Sequence, residues 1–219
     1  MTIKISLLLI FTLASLCFVS FVKADREQQF DYDKNVLLST VIGTKTEQPK
    51  LDLPKNLTIP HDDKFKFLLY ARGYQIYNCK VDKDHVGTWI LATPDAYLIN
   101  EETETFTPNY QVSHHFFLEE PINEGIATWV SIIPGDESGV TTKVLATNEA
   151  PNDPTKNIPW LLTEATANYG DYGAFHDITY LLRVNTRNGV APPNESCGTT
   201  YKNGTFHYSE YDSEYWFYH

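Results

Sequence analysis

The 219-residue chain carries 28 acidic against 17 basic residues, a net charge of −11, and 42% of it is hydrophobic. An acidic surface of that size repels phosphate backbones, which argues against nucleic-acid binding. Glycine-rich phosphate loops, dinucleotide fingerprints, Gly-x-Ser-x-Gly elbows and His-Glu-x-x-His helices are all absent from the sequence, which argues against a nucleotide-dependent enzyme and predicts no cofactor and no metal.

Residues 1–24 open with Lys4, continue through the apolar run Leu7 to Phe18 and close on Val22-Lys23-Ala24. A charged start, apolar middle and small-residue exit predict a secretory signal peptide, with an uncleaved anchor as the rival reading. The apolar run is short for a ~20-residue span, which favours cleavage after Ala24. Losing Lys4 and Lys23 with it takes the net charge from −11 to −13. No later stretch is long and apolar enough to span a bilayer, so the expected destination is extracellular.

Residues 25–62 read as an irregular N-terminal arm punctuated by Pro49, Pro54 and Pro60, with one strand expected over 35–41. The remainder, 63–219, reads as a single β domain. Short apolar and aromatic runs are separated by turn residues at Arg72-Gly73, Thr93-Pro94-Asp95, Pro134-Gly135-Asp136, 157–159 and Asn188-Gly189, the pattern of strands and turns. Strands are predicted over 74–80, 88–92, 96–100, 110–117, 126–133, 140–146, 160–168, 177–186, 205–208 and 215–218. In the clearest of them, Ile178, Tyr180, Leu182 and Val184 alternate with Thr179, Arg183 and Asn185, the period of a half-buried strand. Helix-favouring Leu, Glu and Ala leave 160–168 open to a helical reading as well. About ten short strands in one domain predict an all-β sandwich or a partly closed barrel.

Cys17 would leave with the signal, so Cys79 and Cys197 remain. Two cysteines in an oxidising compartment most simply pair with each other; two free thiols or an intermolecular bridge are the other readings. Asn56, Asn194 and Asn203 each head an Asn-x-Ser/Thr sequon without proline, and two of them fall in a loop-like stretch, as glycosylation sites do.

Candidate chemistry is sparse. His114 and His115 are strand neighbours whose rings should point to opposite faces, one buried and one exposed. Either imidazole, joined by a carboxylate such as Asp136 or Asp177, with His176 nearby, would make a general acid/base pair. The pairs Asp136-Glu137 and Glu119-Glu120 stand in turn-like stretches, where exposed acids are ordinary. Trp129 and Trp160 are candidate ligand contacts among four tryptophans, although core packing is the default for aromatics on strands.

Several segments in order resemble one family. They are Gly73-Tyr74-Gln75-Ile76-Tyr77-Asn78-Cys79, Trp89 with Thr93-Pro94-Asp95-Ala96-Tyr97-Leu98, a histidine at 114 or 115, and Trp129. Asp136-Glu137-Ser138-Gly139-Val140 and Ile158-Pro159-Trp160-Leu161-Leu162 follow, then Thr179 to Thr186, Gly189-Val190-Ala191-Pro192 and Cys197. Together, over roughly 53–218, the chain resembles an uncharacterised secreted family of bacteria and fungi, the domain-of-unknown-function family numbered 3455. The stretch between His115 and Trp129 looks longer than is usual there, and Asn188-Gly189 stands where Gly-Gly is common. The resemblance implies an exported β domain whose two cysteines match the family's pair, and it brings no activity with it. The sequence therefore predicts a secreted, non-catalytic binding or surface domain, with cell-wall polysaccharide or another extracellular protein as partner. An extracellular hydrolase or lyase with a His/acid pair is the alternative.

Overall fold

The computed structural model describes residues 41–61, 63–103, 106–118 and 125–219, all within one unit spanning Leu37–His219. The signal-like segment 1–24, the strand expected over 35–41 (Val41 apart) and Glu119-Glu120 lie outside the described residues.

Eight strands follow in chain order: β1 (Phe65–Val81), β2 (Gly87–Ile99), β3 (Gln111–Leu118), β4 (Ile126–Ser131), β5 (Gly139–Asn148), β6 (Trp160–Tyr169), β7 (Tyr180–Asn188) and β8 (Phe206–Tyr218). Each pairs antiparallel with the next, and β8 returns to pair with β1, closing the sheet into a barrel. Closure leaves no unpaired sheet edge. The 160–168 stretch is strand, not helix.

The strands are fewer and longer than the turn residues predicted. Arg72-Gly73 lies inside β1, where Gly73 faces Ala96 of β2 across the ladder. A Cβ at Gly73 would stand 2.1 Å from the Asp95 carbonyl oxygen and 2.5 Å from the Ala96 Cα. The glycine therefore serves a close backbone approach within the wall, a familiar use of glycine inside a strand. Thr93-Pro94-Asp95 likewise lies inside β2. The partner of Ile76 is Thr93 but that of Tyr77 is Leu91, so Ala92 is an extra residue in the ladder. Such a bulge resets which side chains point inward.

Both faces of part of the wall are buried. On β7, Leu181 belongs to the cluster inside the barrel, while Tyr180, Leu182 and Val184 belong to another on the outside. That outer cluster also takes Leu68 of β1 and Trp216 and Tyr218 of β8, and Leu51, Leu53, Leu57 and Ile59 of the 41–61 segment cover it. The described 41–61 segment is thus a cover for the outer wall. Trp160, a candidate ligand contact, is buried in this outer cluster.

One end of the lumen is plugged. Phe175 and Ile178, from the β6–β7 loop, pack on Phe67 and Phe217, with the Phe175 ring 5.9 and 5.2 Å from those two rings. Asp136 holds this plug in place. Its Oδ1 accepts hydrogen bonds from the Ser138 amide (2.9 Å) and hydroxyl (2.5 Å), and its Oδ2 accepts from the Ala174 amide (3.0 Å). The Ser138 hydroxyl oxygen in turn accepts from the Phe175 amide. At the other end, the β7–β8 loop is tied to β1 by the Cys79–Cys197 disulfide, which joins residues 118 apart in sequence.

Candidate functional site

Above the plug the lumen is not filled. A cavity of about 520 Å³ opens there, lined by side chains from all eight strands. Its size is within the ~300–1,000 Å³ span of small-molecule sites. Leu91, Pro94, Phe117, Ile126, Leu161 and Leu181 give it a mostly apolar wall, and the exposed Leu91, Gly125, Lys143 and Val144 mark its rim.

The register of the ladder builds the floor. His115 on β3 is the direct partner of Trp129 on β4, and both point inward. Their rings stack 4.0 Å apart at 5°. Arg183 on β7 is the direct partner of Tyr215 on β8, and the Tyr215 ring stands 5.3 Å from both His115 and Trp129. Two cross-strand pairs, one on β3–β4 and one on β7–β8, thus face the same lumen, and Tyr215 bridges them.

His115 is fully buried. Its Nδ1 lies 2.8 Å from the Thr128 carbonyl oxygen, so Nδ1 carries the proton and Nε2 keeps a lone pair. Burial lowers its pKa to about 3, against the raising effect of the Thr128 bond, with the Arg183 and His114 charges adding to the drop. The ring is neutral at physiological pH. Burial also raises Tyr77 and Tyr211, in both cases against the nearby Arg183 charge. Tyr77 donates to the Gly189 carbonyl oxygen at 2.8 Å.

Arg183 is the cation of the site. It is 9% exposed, and its Nε and Nη2 both donate to one oxygen, the Pro159 carbonyl, at 3.2 and 2.9 Å. Among the described residues no carboxylate pairs with it, and none lines the cavity. Three further polar groups of residues lining the cavity are buried without partners, the Gln75 amide Nε2, the Trp129 indole Nε1–H and the Thr142 hydroxyl.

The predicted site residues separate. His115 and Trp129 come together in the cavity. His114 points outward from the same strand, stacks on Tyr97 at 4.5 Å and binds Asp95 Oδ1 at 2.8 Å through Nε2. Asp136 is engaged at the plugged end. Asp177 lies at that end too, where its carboxylate binds Lys66, with His176 and His219 at 3.5 and 3.4 Å. Burial pushes the Asp177 carboxyl up, but the Lys66 bond and the surrounding positive charges outweigh it and hold the group below its usual range. Neither acid reaches His115. Sequence reasoning missed Arg183, because a charged residue on the polar side of an alternating strand reads as solvent-facing. Among the described residues no group of His, Cys, Asp or Glu side chains forms a metal site, and no helix is long and apolar enough to cross a membrane.

The three sequon asparagines are exposed. The Asn194 Oδ1 accepts from the Trp89 amide and the Asn203 Oδ1 from the Val81 amide, both at 3.0 Å, while the Asn56 Nδ2 donates to the Thr147 carbonyl oxygen.

Fold and site together define an antiparallel eight-stranded barrel with one plugged end and a mainly apolar cavity in its lumen. Residues 60–219 match the family described as "Protein of unknown function (DUF3455)", and the chain belongs to that family. No curated protein and no solved structure matches the chain.

Proposed function

We propose that this protein is an exported, non-catalytic binding barrel that holds one small, mainly apolar molecule in its lumen. The observation that carries this reading is the 520 Å³ cavity, walled by apolar side chains around a few inward polar groups, the make-up of a small-molecule site. A non-catalytic role is favoured because His115 has no carboxylate beside it among the described lining residues. Burial also keeps that ring too weak a base for general acid/base work near neutrality. Export is supported by the signal-like residues 1–24, the disulfide and three exposed sequons. Binding of wall polysaccharide has less support, since Trp89, Trp129, Trp160 and Trp216 are all buried and present no ring to a polymer at the surface.

The test is titration of the secreted protein with the neutral apolar dye Nile red, beside an Ala127→Phe variant. Ala127 lines the cavity next to Trp129, so a phenyl ring there fills the space. Saturable one-to-one dye binding that the variant loses, with its circular dichroism unchanged, is the expected result. Dye uptake that does not saturate, or that the variant retains in full, would overturn the reading.

A further inference from the structure

We infer that the molecule held in the lumen is an amphipathic carboxylate, its acid head on Arg183 at the floor and its apolar body against Leu91, Phe117 and Leu161. This rests on the lumen-binding reading and adds a chemical class to it.

Charge comes first. The whole chain has a net charge of −11, yet the only described ionised side chains lining the cavity are Arg183 and Lys143. Lys143 is at the rim and already pairs with Glu164 at 2.8 Å. Arg183 is inside, and two of its five N–H bonds are directed at a single carbonyl oxygen. A buried guanidinium with a neutral partner alone pays for desolvation without an ion pair. Its planar fork matches the two oxygens of a carboxylate.

The neighbouring polar groups agree in sign. The Trp129 indole is 2% exposed and can only donate; the Thr142 hydroxyl, on a residue 4% exposed, is free to donate. Both line the same cavity. A buried donor without an acceptor costs about 1–3 kcal/mol, so a ligand that brings acceptor oxygens relieves more than one such cost. His115 is neutral and presents a lone pair, so it adds no positive charge that would broaden the site to polyanions. A single cation set among apolar walls fits one anionic group on an apolar body. A phosphorylated or polyanionic ligand would need more positive charge than these walls carry.

The experiment uses the intact secreted protein and three probes with the same chain and different heads: dodecanoate, dodecanol and dodecylamine, each below its micellar concentration. Tryptophan fluorescence and isothermal titration follow binding to the wild type, Arg183→Met and Arg183→Lys. Dodecanoate is expected to bind at least tenfold more tightly than dodecanol, and dodecylamine least. Arg183→Met should remove the preference for the acid while still binding the alcohol, and Arg183→Lys should restore part of it. If Arg183→Met fails to fold by circular dichroism, Trp129→Phe, which removes only the indole donor, should lower the acid-to-alcohol ratio. Equal affinity for acid and alcohol would overturn the carboxylate assignment and leave lumen binding standing. An amine preference would overturn it as well. Binding of none of the three probes would remove the lumen reading itself.

Discussion

The imidazole of His115 lies flat on the indole of Trp129, 4.0 Å away, with its Nδ1–H committed to a carbonyl on the strand that carries the tryptophan. Burial of the ring there disfavours the charge that a second proton, on Nε2, would bring. Its folded pKa, about 3, is below the unfolded 6.5. Between those values the unfolded chain binds more protons than the folded one, so stability rises with pH through that window and is lost as pH falls from 6.5 towards 3. This group alone should withdraw about 3 kcal/mol between pH 7 and pH 4. Urea unfolding of His115→Gln at the two pH values should show a drop smaller by about that amount; an equal drop in both proteins would contradict the assignment.

The disulfide closes a long loop and anchors the β7–β8 segment to β1. Replacing Cys79 and Cys197 together by serine should lower stability by about 4–5 kcal/mol, the loop-closure entropy for a separation of this size. Urea midpoints compared with the oxidised wild type measure it, and a loss below 1 kcal/mol would show that the loop is held by its packing alone.

Asp136 separates a structural from a catalytic role. Its three accepted hydrogen bonds hold the β4–β5 turn to the β6–β7 loop. Asp136→Ala should cost about 2–4 kcal/mol, since the Ser138 amide and hydroxyl and the Ala174 amide all lose their acceptor. Nile red affinity at the far end should stay within a factor of two in the folded fraction. A large change in affinity with unchanged stability would reverse the assignment.

Leu57 lies in the segment that covers the outer wall and is fully buried. Leu57→Ala should therefore behave as a core truncation and cost about 2–4 kcal/mol. A surface-like effect, under 0.5 kcal/mol in urea unfolding, would mean that the cover contributes little.

The sequon geometry is compatible with glycosylation and makes it testable. The Asn194 and Asn203 side chains bind backbone amides through Oδ1, which leaves Nδ2, the atom that carries the sugar, pointing away. Protein secreted from a eukaryotic host should lose mass on N-glycosidase treatment, and less of it in Asn194→Gln and Asn203→Gln. No mass change in the wild type would refute occupancy.

The sequence made the β character legible because apolar runs and turn residues recur at strand spacing. It could not reveal the strand count, because Gly73 and Pro94 stand inside strands, at a close approach and next to a bulge, where elsewhere they would mark turns. The opposite faces of His114 and His115 were legible from the two-residue period alone. The direction of β7 was not: its apolar stripe, Tyr180, Leu182 and Val184, faces outward beneath the 41–61 segment, and Arg183, on the same side as Leu181, faces the lumen. A strand buried on both faces removes the contrast on which alternation depends.

Closure of the ring by β1 and β8 also sets the order of events during synthesis. Phe65 pairs with Tyr218, and the amide and carbonyl of Lys64 exchange hydrogen bonds with those of His219. Every other seam joins strands adjacent in the chain, so a growing polypeptide can assemble seven of them as a meander while its two edges stay open. The last seam spans about 150 residues of sequence, the kind of distant pairing that slows folding. Until β8 emerges, β1 is an edge strand exposed to other chains. A nascent chain stalled before Phe206 would therefore be an open sheet prone to intermolecular pairing, and the lumen would come into being only with the final strand.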